Sequence, residues 1–110
     1  MYAIFTNLTD NSIFWIMGNE MPERKIQVDI VNEGGKLLYI DYRDSGPGID
    51  PRYIESEVIF EPQFSTKPDG TGLGLAIAGE AALRNGLELK VFASDHGAYF
   101  RLQPKTTENE

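Results

Sequence analysis

Asn7, Asn11 and Trp15 recur every four residues near the start of the chain, a spacing that lines side chains along one helix face. An asparagine carbonyl is a hard oxygen ligand, the kind that magnesium prefers. Further on, the string DSGPGI (Asp44 to Ile49) sets a carboxylate just before Gly46 and Gly48. A carboxylate there can accept a hydrogen bond from the exocyclic amine of adenine, which tells adenine from guanine. The two glycines let the backbone turn tightly and approach a ligand. A third string, GTGLGLA, places Gly70, Thr71, Gly72, Leu73 and Gly74 at a helix start. Unpaired N–H groups and the positive end of the helix dipole suit triphosphate oxygens at such a start. Between these strings, IFEPQFSTK (Ile59 to Lys67) offers hydroxyls at Ser65 and Thr66 and a cation, Lys67, that could reach phosphates.

Taken singly, each string has a plain structural explanation. Two asparagines four apart commonly lie on an exposed helix face, Asp-Ser-Gly is a common turn, and a glycine run can be a linker. GTGLGLAIA is neither a Walker loop, because no GK[ST] ends it, nor a good dinucleotide fingerprint. It does carry periodic apolar residues straight into a helix, and DSGPGI is far more specific than its first three letters. His96, the only histidine, falls in a predicted turn and reads as a surface residue. Glu55, Glu57 and Glu61 read as a solvated face rather than a paired acid and base.

The elements that must hold these groups follow from periodicity. Ile4, Phe5, Leu8, Ser12, Trp15 and Ile16 recur at spacings of three and four, giving a helix over 2–17 with a buried stripe and one small polar interruption. Gly18-Asn19 ends it. Residues 25–32 read as a strand, Glu33-Gly34-Gly35 as a turn, and 36–43 as a second strand, together a hairpin. Asp44 to Pro51 is a loop, and a short helix covers 51–58 with Pro51 in its first turn. Residues 60–70 are loop, 73–84 a helix stopped at Asn85-Gly86, and 87–93 with 98–103 a second hairpin.

The chain has 110 residues, enough for one domain with a modest core. No apolar run approaches the roughly 20 residues that span a bilayer, so no direct membrane insertion is expected, and no signal-peptide layout opens the chain. Zero cysteines exclude disulfides and thiolate metal sites and fit a reducing cytoplasm. A formal net charge of -7 argues against nucleic acid or an anionic membrane as the main partner. It also repels a nucleotide at long range, leaving binding to local donors and a divalent cation.

In this order, the four strings NLTDN (Asn7 to Asn11), DSGPGI, IFEPQFSTK and GTGLGLA resemble the ATP-binding domain of sensor histidine kinases. That superfamily is shared with DNA gyrase, the mismatch-repair ATPases and the heat-shock chaperone ATPase. The resemblance implies an α+β fold of the Bergerat type, a two-layer α/β sandwich whose mostly antiparallel sheet of about four strands is covered by helices. The domain would run over 1–104, shortened at its amino end because the usual strand before the first helix is missing, with 105–110 a frayed tail. It assigns magnesium to Asn11, a second polar contact at the reacting phosphates to Asn7, and an aromatic ring against adenine to Trp15. Ile49, Phe60 and Phe64 fall in the family's nucleotide-contacting strings, although the two phenylalanines serve equally well as packing. The segment from Phe64 to Gly70 resembles a short lid of the FxTK type, whose closure would exclude water from the phosphates. Two departures stand out. The basic residue common three places after Asn11 is Phe14 here, and the usual alanine after Asn11 is Ser12.

Phosphoryl transfer needs positioned phosphates, charge neutralisation and an acceptor, and this sequence supplies the first two. In hydrolysing relatives a glutamate about one helical turn before the magnesium asparagine activates water; the matching residue here is Asn7, and an amide is no base near neutral pH. The resemblance therefore implies the ATP-binding catalytic part of a histidine kinase. Its partners would be ATP, a histidine-bearing dimerisation domain of the parent protein and, indirectly, a response regulator, with a homodimer open through an exposed sheet edge. This domain would be cytoplasmic, with a membrane anchor on the parent protein left open. An ATP-driven switch or ATPase of the same superfamily, or a degenerate protein-binding module, remain the alternatives.

Overall fold

The structure, a computed structural model, describes residues 2–18, 22–56, 60 and 74–105. Along the chain come α1 (Tyr2–Gly18), β1 (Ile26–Glu33), β2 (Lys36–Asp44), α2 (Pro51–Ser56), α3 (Gly74–Arg84), β3 (Leu87–Phe92) and β4 (Tyr99–Pro104). Each hairpin expected from the sequence forms. The sheet order is β1-β2-β4-β3, so the two hairpins are joined in the middle by antiparallel pairing of β2 with β4, from Ile40 opposite Leu102 to Arg43 opposite Tyr99.

Local chemistry sets the punctuation. Gly34 and Gly35 have φ of 59° and 81°, and Glu33 pairs with Lys36 across them; consecutive positive φ values are what a two-residue hairpin turn demands. Asp50 caps α2, its Oδ1 accepting the N–H of Arg52 at 2.9 Å, with Pro51 at the first helical position. Gly86, at φ 73°, closes α3 through its N–H to the carbonyl of Leu83. The backbone N–H of Lys105 is tied to the carbonyl of Gly86.

One face of the sheet carries the core. Ile40, Tyr42, Leu89, Val91, Phe100 and Leu102 pack against Ile4 and Leu8 of α1 and Ala78 and Ala82 of α3. Each fully buried large apolar side chain contributes about 1.5–3 kcal/mol. The two alanines, one turn apart, let α3 lie close to α1 and β3. Cover stops short of the edge: Ile26, Val28 and Ile30 point to the same face but are 38%, 45% and 62% exposed. The opposite face carries a charged cluster. Asp41 accepts from Arg101 Nε at 2.7 Å, Arg101 Nη2 at 3.1 Å and the Tyr99 hydroxyl at 3.0 Å, while the Arg101 guanidinium lies 3.9 Å over the Tyr39 ring. No helix among the described residues is long and apolar enough to cross a membrane.

Candidate functional site

The buried stripe of α1 is Ile4, Leu8, Ser12 and Ile16, and its single polar member meets the carboxylate singled out in the sequence. Asp44 ends β2 and is 7% exposed. Its Oδ1 accepts the N–H of Gly46 at 3.0 Å and of Ala98 at 2.9 Å, and its Oδ2 accepts the Ser12 hydroxyl at 2.6 Å. Helix α1, the loop after β2 and the β3–β4 turn thus converge on one side chain. Ser12 Oγ is also 2.7 Å from the Tyr42 hydroxyl. Burial pushes the Tyr42 hydroxyl above its usual pKa, and the nearby charge of Asp44 adds to that.

The glycines of this loop act in two ways. Gly48 has φ 89°, and a Cβ on it would sit 3.3 Å from the carbonyl oxygen of Gly97. Gly46 needs no positive φ; it supplies space, since a Cβ there would lie 3.2 Å from Asp44 Oδ1 and 3.5 Å from Ile16. Ile49 follows them, partly buried against the core.

Asn7 occupies the amino-terminal half of α1. Its Nδ2 donates to the carbonyl of Ala3 at 2.7 Å, and its Oδ1 is 3.4 Å from where a Cβ on Gly74 would stand, so α3 begins beside it. Asn11 lies between, half-buried. Read along the helix, the order is Asp44 and Gly46 against Ser12 and Ile16, then Asn11, then Asn7 and Gly74. From Ser12 to Asn7 is about 7.5 Å of helical rise. Trp15 shares the asparagine face, half-buried, edge-on to Phe14 with ring centroids 5.1 Å apart. Phe60 packs its ring against Phe100, 6.3 Å between centroids, and faces Gly79 of α3. An open hollow lined by Tyr2, Phe5, Thr6, Thr9 and Asp10 lies on the other flank of α1's buried stripe, away from the asparagines. Of the candidate residues, Thr66, Lys67, Gly70, Thr71, Gly72 and Leu73 lie outside the described residues, as do Phe64, Ser65, Glu57 and Glu61. Glu55 and His96 are exposed, His96 in the β3–β4 turn.

Sequence reasoning missed Ser12 and Ala98 as donors to Asp44, Tyr42 as the partner of Ser12, and Gly97 as the close backbone neighbour of Asp44. One signal was available: a serine inside an apolar stripe must find a hydrogen-bond partner once buried. As for a metal, no group of three or more His, Cys, Asp or Glu among the described residues could hold one. Asn11 offers a single oxygen, which fits a cation held by one side chain together with phosphates and water.

Comparisons with known proteins bear on the chain as a whole. A family model described as histidine kinase-, DNA gyrase B- and HSP90-like ATPase matches residues 1–108. The sensor histidine kinase ZraS of Salmonella typhimurium is 40% identical over 78 residues, 70% of this chain and 16% of that protein. The swarming motility regulation sensor protein RssA of Serratia marcescens is 35% identical over 94 residues, 83% of this chain and 19% of that protein. The chain therefore spans less than a fifth of the length of these two relatives. Among solved structures, the catalytic domain of histidine kinase ThkA superposes with a TM-score of 0.67 at 30% identity, covering 97% of this chain and 67% of that one. The mycobacterial sensor histidine kinase MprB gives 0.66 at 25% identity, covering 94% and 70%.

Proposed function

Because the chain belongs to the histidine kinase-, DNA gyrase B- and HSP90-like ATPase family, we propose that it is the Mg-ATP-binding catalytic domain of a sensor histidine kinase. It holds ATP while a histidine nitrogen on another domain attacks the terminal phosphorus; the bond from that phosphorus to the bridging oxygen breaks, and ADP is left. A response regulator then takes the phosphoryl group from that histidine.

The observation that carries this reading is the order of groups along α1, from Asp44 and Gly46 beside Ser12 and Ile16, past Asn11, to Asn7 beside Gly74; on this reading the first end takes adenine and the last the phosphates. Asp44, fixed by three donors, accepts the adenine amine, with Ile49 and Trp15 beside the ring and Gly46 and Gly48 giving the base close access. Asn11 supplies an oxygen to magnesium, which when bound neutralises charge on the phosphates. At the other end, Asn7 and the backbone of Gly70, Thr71, Gly72, Leu73 and Gly74 meet the phosphates, and Lys67 and Thr66 close over them. Asn7 further favours transfer to a histidine over transfer to water. Its amide nitrogen is spent on the Ala3 carbonyl, and an amide oxygen takes no proton from water near neutral pH.

Isothermal titration of the 110-residue chain with a non-hydrolysable ATP analogue tests this. Magnesium-dependent binding below millimolar concentration is expected. No binding at millimolar analogue, with or without magnesium, would leave the fold as a protein-binding module instead.

A further inference from the structure

Ser12 is the one polar residue of α1's buried stripe, and only 1% of its surface is exposed. Its hydroxyl has two partners, Asp44 Oδ2 at 2.6 Å and the Tyr42 hydroxyl at 2.7 Å. A serine hydroxyl has one proton to give, and a carboxylate only accepts. The proton therefore goes to Asp44, and Tyr42 donates to Ser12 Oγ. This sets a direction: Tyr42 to Ser12 to Asp44. On the carboxylate, Oδ1 already accepts the N–H groups of Gly46 and Ala98, which fill its lone pairs. Oδ2, with Ser12 on one side, keeps a single acceptor position.

We propose that Ser12, oriented by Tyr42, is a positioning residue that sets base specificity, leaving Asp44 Oδ2 one acceptor position that only a donor on the purine can satisfy. This rests on the reading of Asp44 as the group that meets adenine. The physical reason lies in what replaces the hydroxyl. With alanine at position 12, the room beside Oδ2 admits water. Water has two protons and can turn, so it can donate to a purine carbonyl as readily as the site accepts from a purine amine. The serine cannot do this because its only proton is committed to Asp44. Discrimination at the six-position of the base would fall, while contacts to the phosphates would not change.

The test is equilibrium binding of ATP, inosine triphosphate and inorganic triphosphate, each with magnesium, to the whole chain and its variants. Inosine triphosphate carries a carbonyl where ATP carries the amine. The parent should prefer ATP, Ser12→Ala should lower that preference about tenfold with triphosphate affinity unchanged, and Tyr42→Phe should lower it about two- to threefold. In an Asp44→Asn background Ser12→Ala should have no further effect on the ratio. A purely structural role would weaken all three ligands together and leave the ATP-to-inosine ratio alone; that result overturns the proposal, and Tyr42→Phe decides it should Ser12→Ala fail to fold. A parent that prefers ATP, with variants that prefer it equally, overturns this proposal alone. A parent without the preference overturns the assignment of Asp44 as well.

Discussion

Asp44 ties three segments together through its carboxylate, and its neighbours are chosen for closeness. Gly97 shows this most sharply. It sits at φ 73°, and a Cβ on it would collide with the main-chain carbonyl of Asp44. Neither atom is the end of a flexible side chain, so the backbone itself would have to shift. Gly97→Ala should cost about 3 kcal/mol or more, read as a lower urea midpoint at unchanged m-value. The sequence made Asp44 legible because DSGPGI is a long and unusual string. Gly97 looked like any turn glycine, and Ser12 like a departure from a family pattern with no evident purpose. Their roles depend on contacts such as Ala98 N–H to Asp44, 54 residues apart, which no local pattern encodes.

The elements themselves were easier to read. Stripes at spacings of three and four and alternation over short runs gave α1, α3 and the two hairpins to within about two residues, the usual spread of helix ends. Which strands would be neighbours was not readable, because the β2–β4 joint has no local signal. Nor was the extent of cover. Alternation in β1 suggests a half-buried strand, yet Ile26, Val28 and Ile30 stay largely exposed because the described helices pack over the other three strands. Within α3, Gly79 is a helix-interior glycine whose added Cβ would stand 3.7 Å from the Phe60 ring, ordinary contact distance. Gly79→Ala should therefore stabilise the fold by about 0.5–1 kcal/mol, measured by thermal or urea unfolding, through the lower entropy of the unfolded chain and the better helix propensity of alanine.

Over the molecule as a whole, the two sheet faces differ in kind. The helix-covered face is apolar apart from the hydrogen-bonded chain Tyr42, Ser12 and Asp44. On the other, Asp41 is 6% exposed beneath Arg101, Tyr99 and Arg43. Burial alone would raise its carboxyl pKa, but the bonds from Arg101 and Tyr99 with the charges of Arg101 and Arg43 outweigh that and hold it below 3.8. A folded-state pKa below the unfolded one contributes stability that is complete above the unfolded value and disappears as pH falls through the folded value. Urea midpoints should thus fall as pH drops below about 4. In Asp41→Asn that part of the acid loss should be missing, from a lower starting stability at neutral pH. A parent and variant with parallel acid profiles would contradict this. The seam between β2 and β4 has a kinetic meaning too. Each hairpin can zip from its own turn, but the seam joins opposite halves of the chain and closes a loop that contains α2, α3 and the connection between them. The entropy of that closure grows only with the logarithm of loop length, about 0.6 kcal/mol per doubling. Residues added to or removed from the connection would weigh little on the final equilibrium and more on how fast the halves find each other.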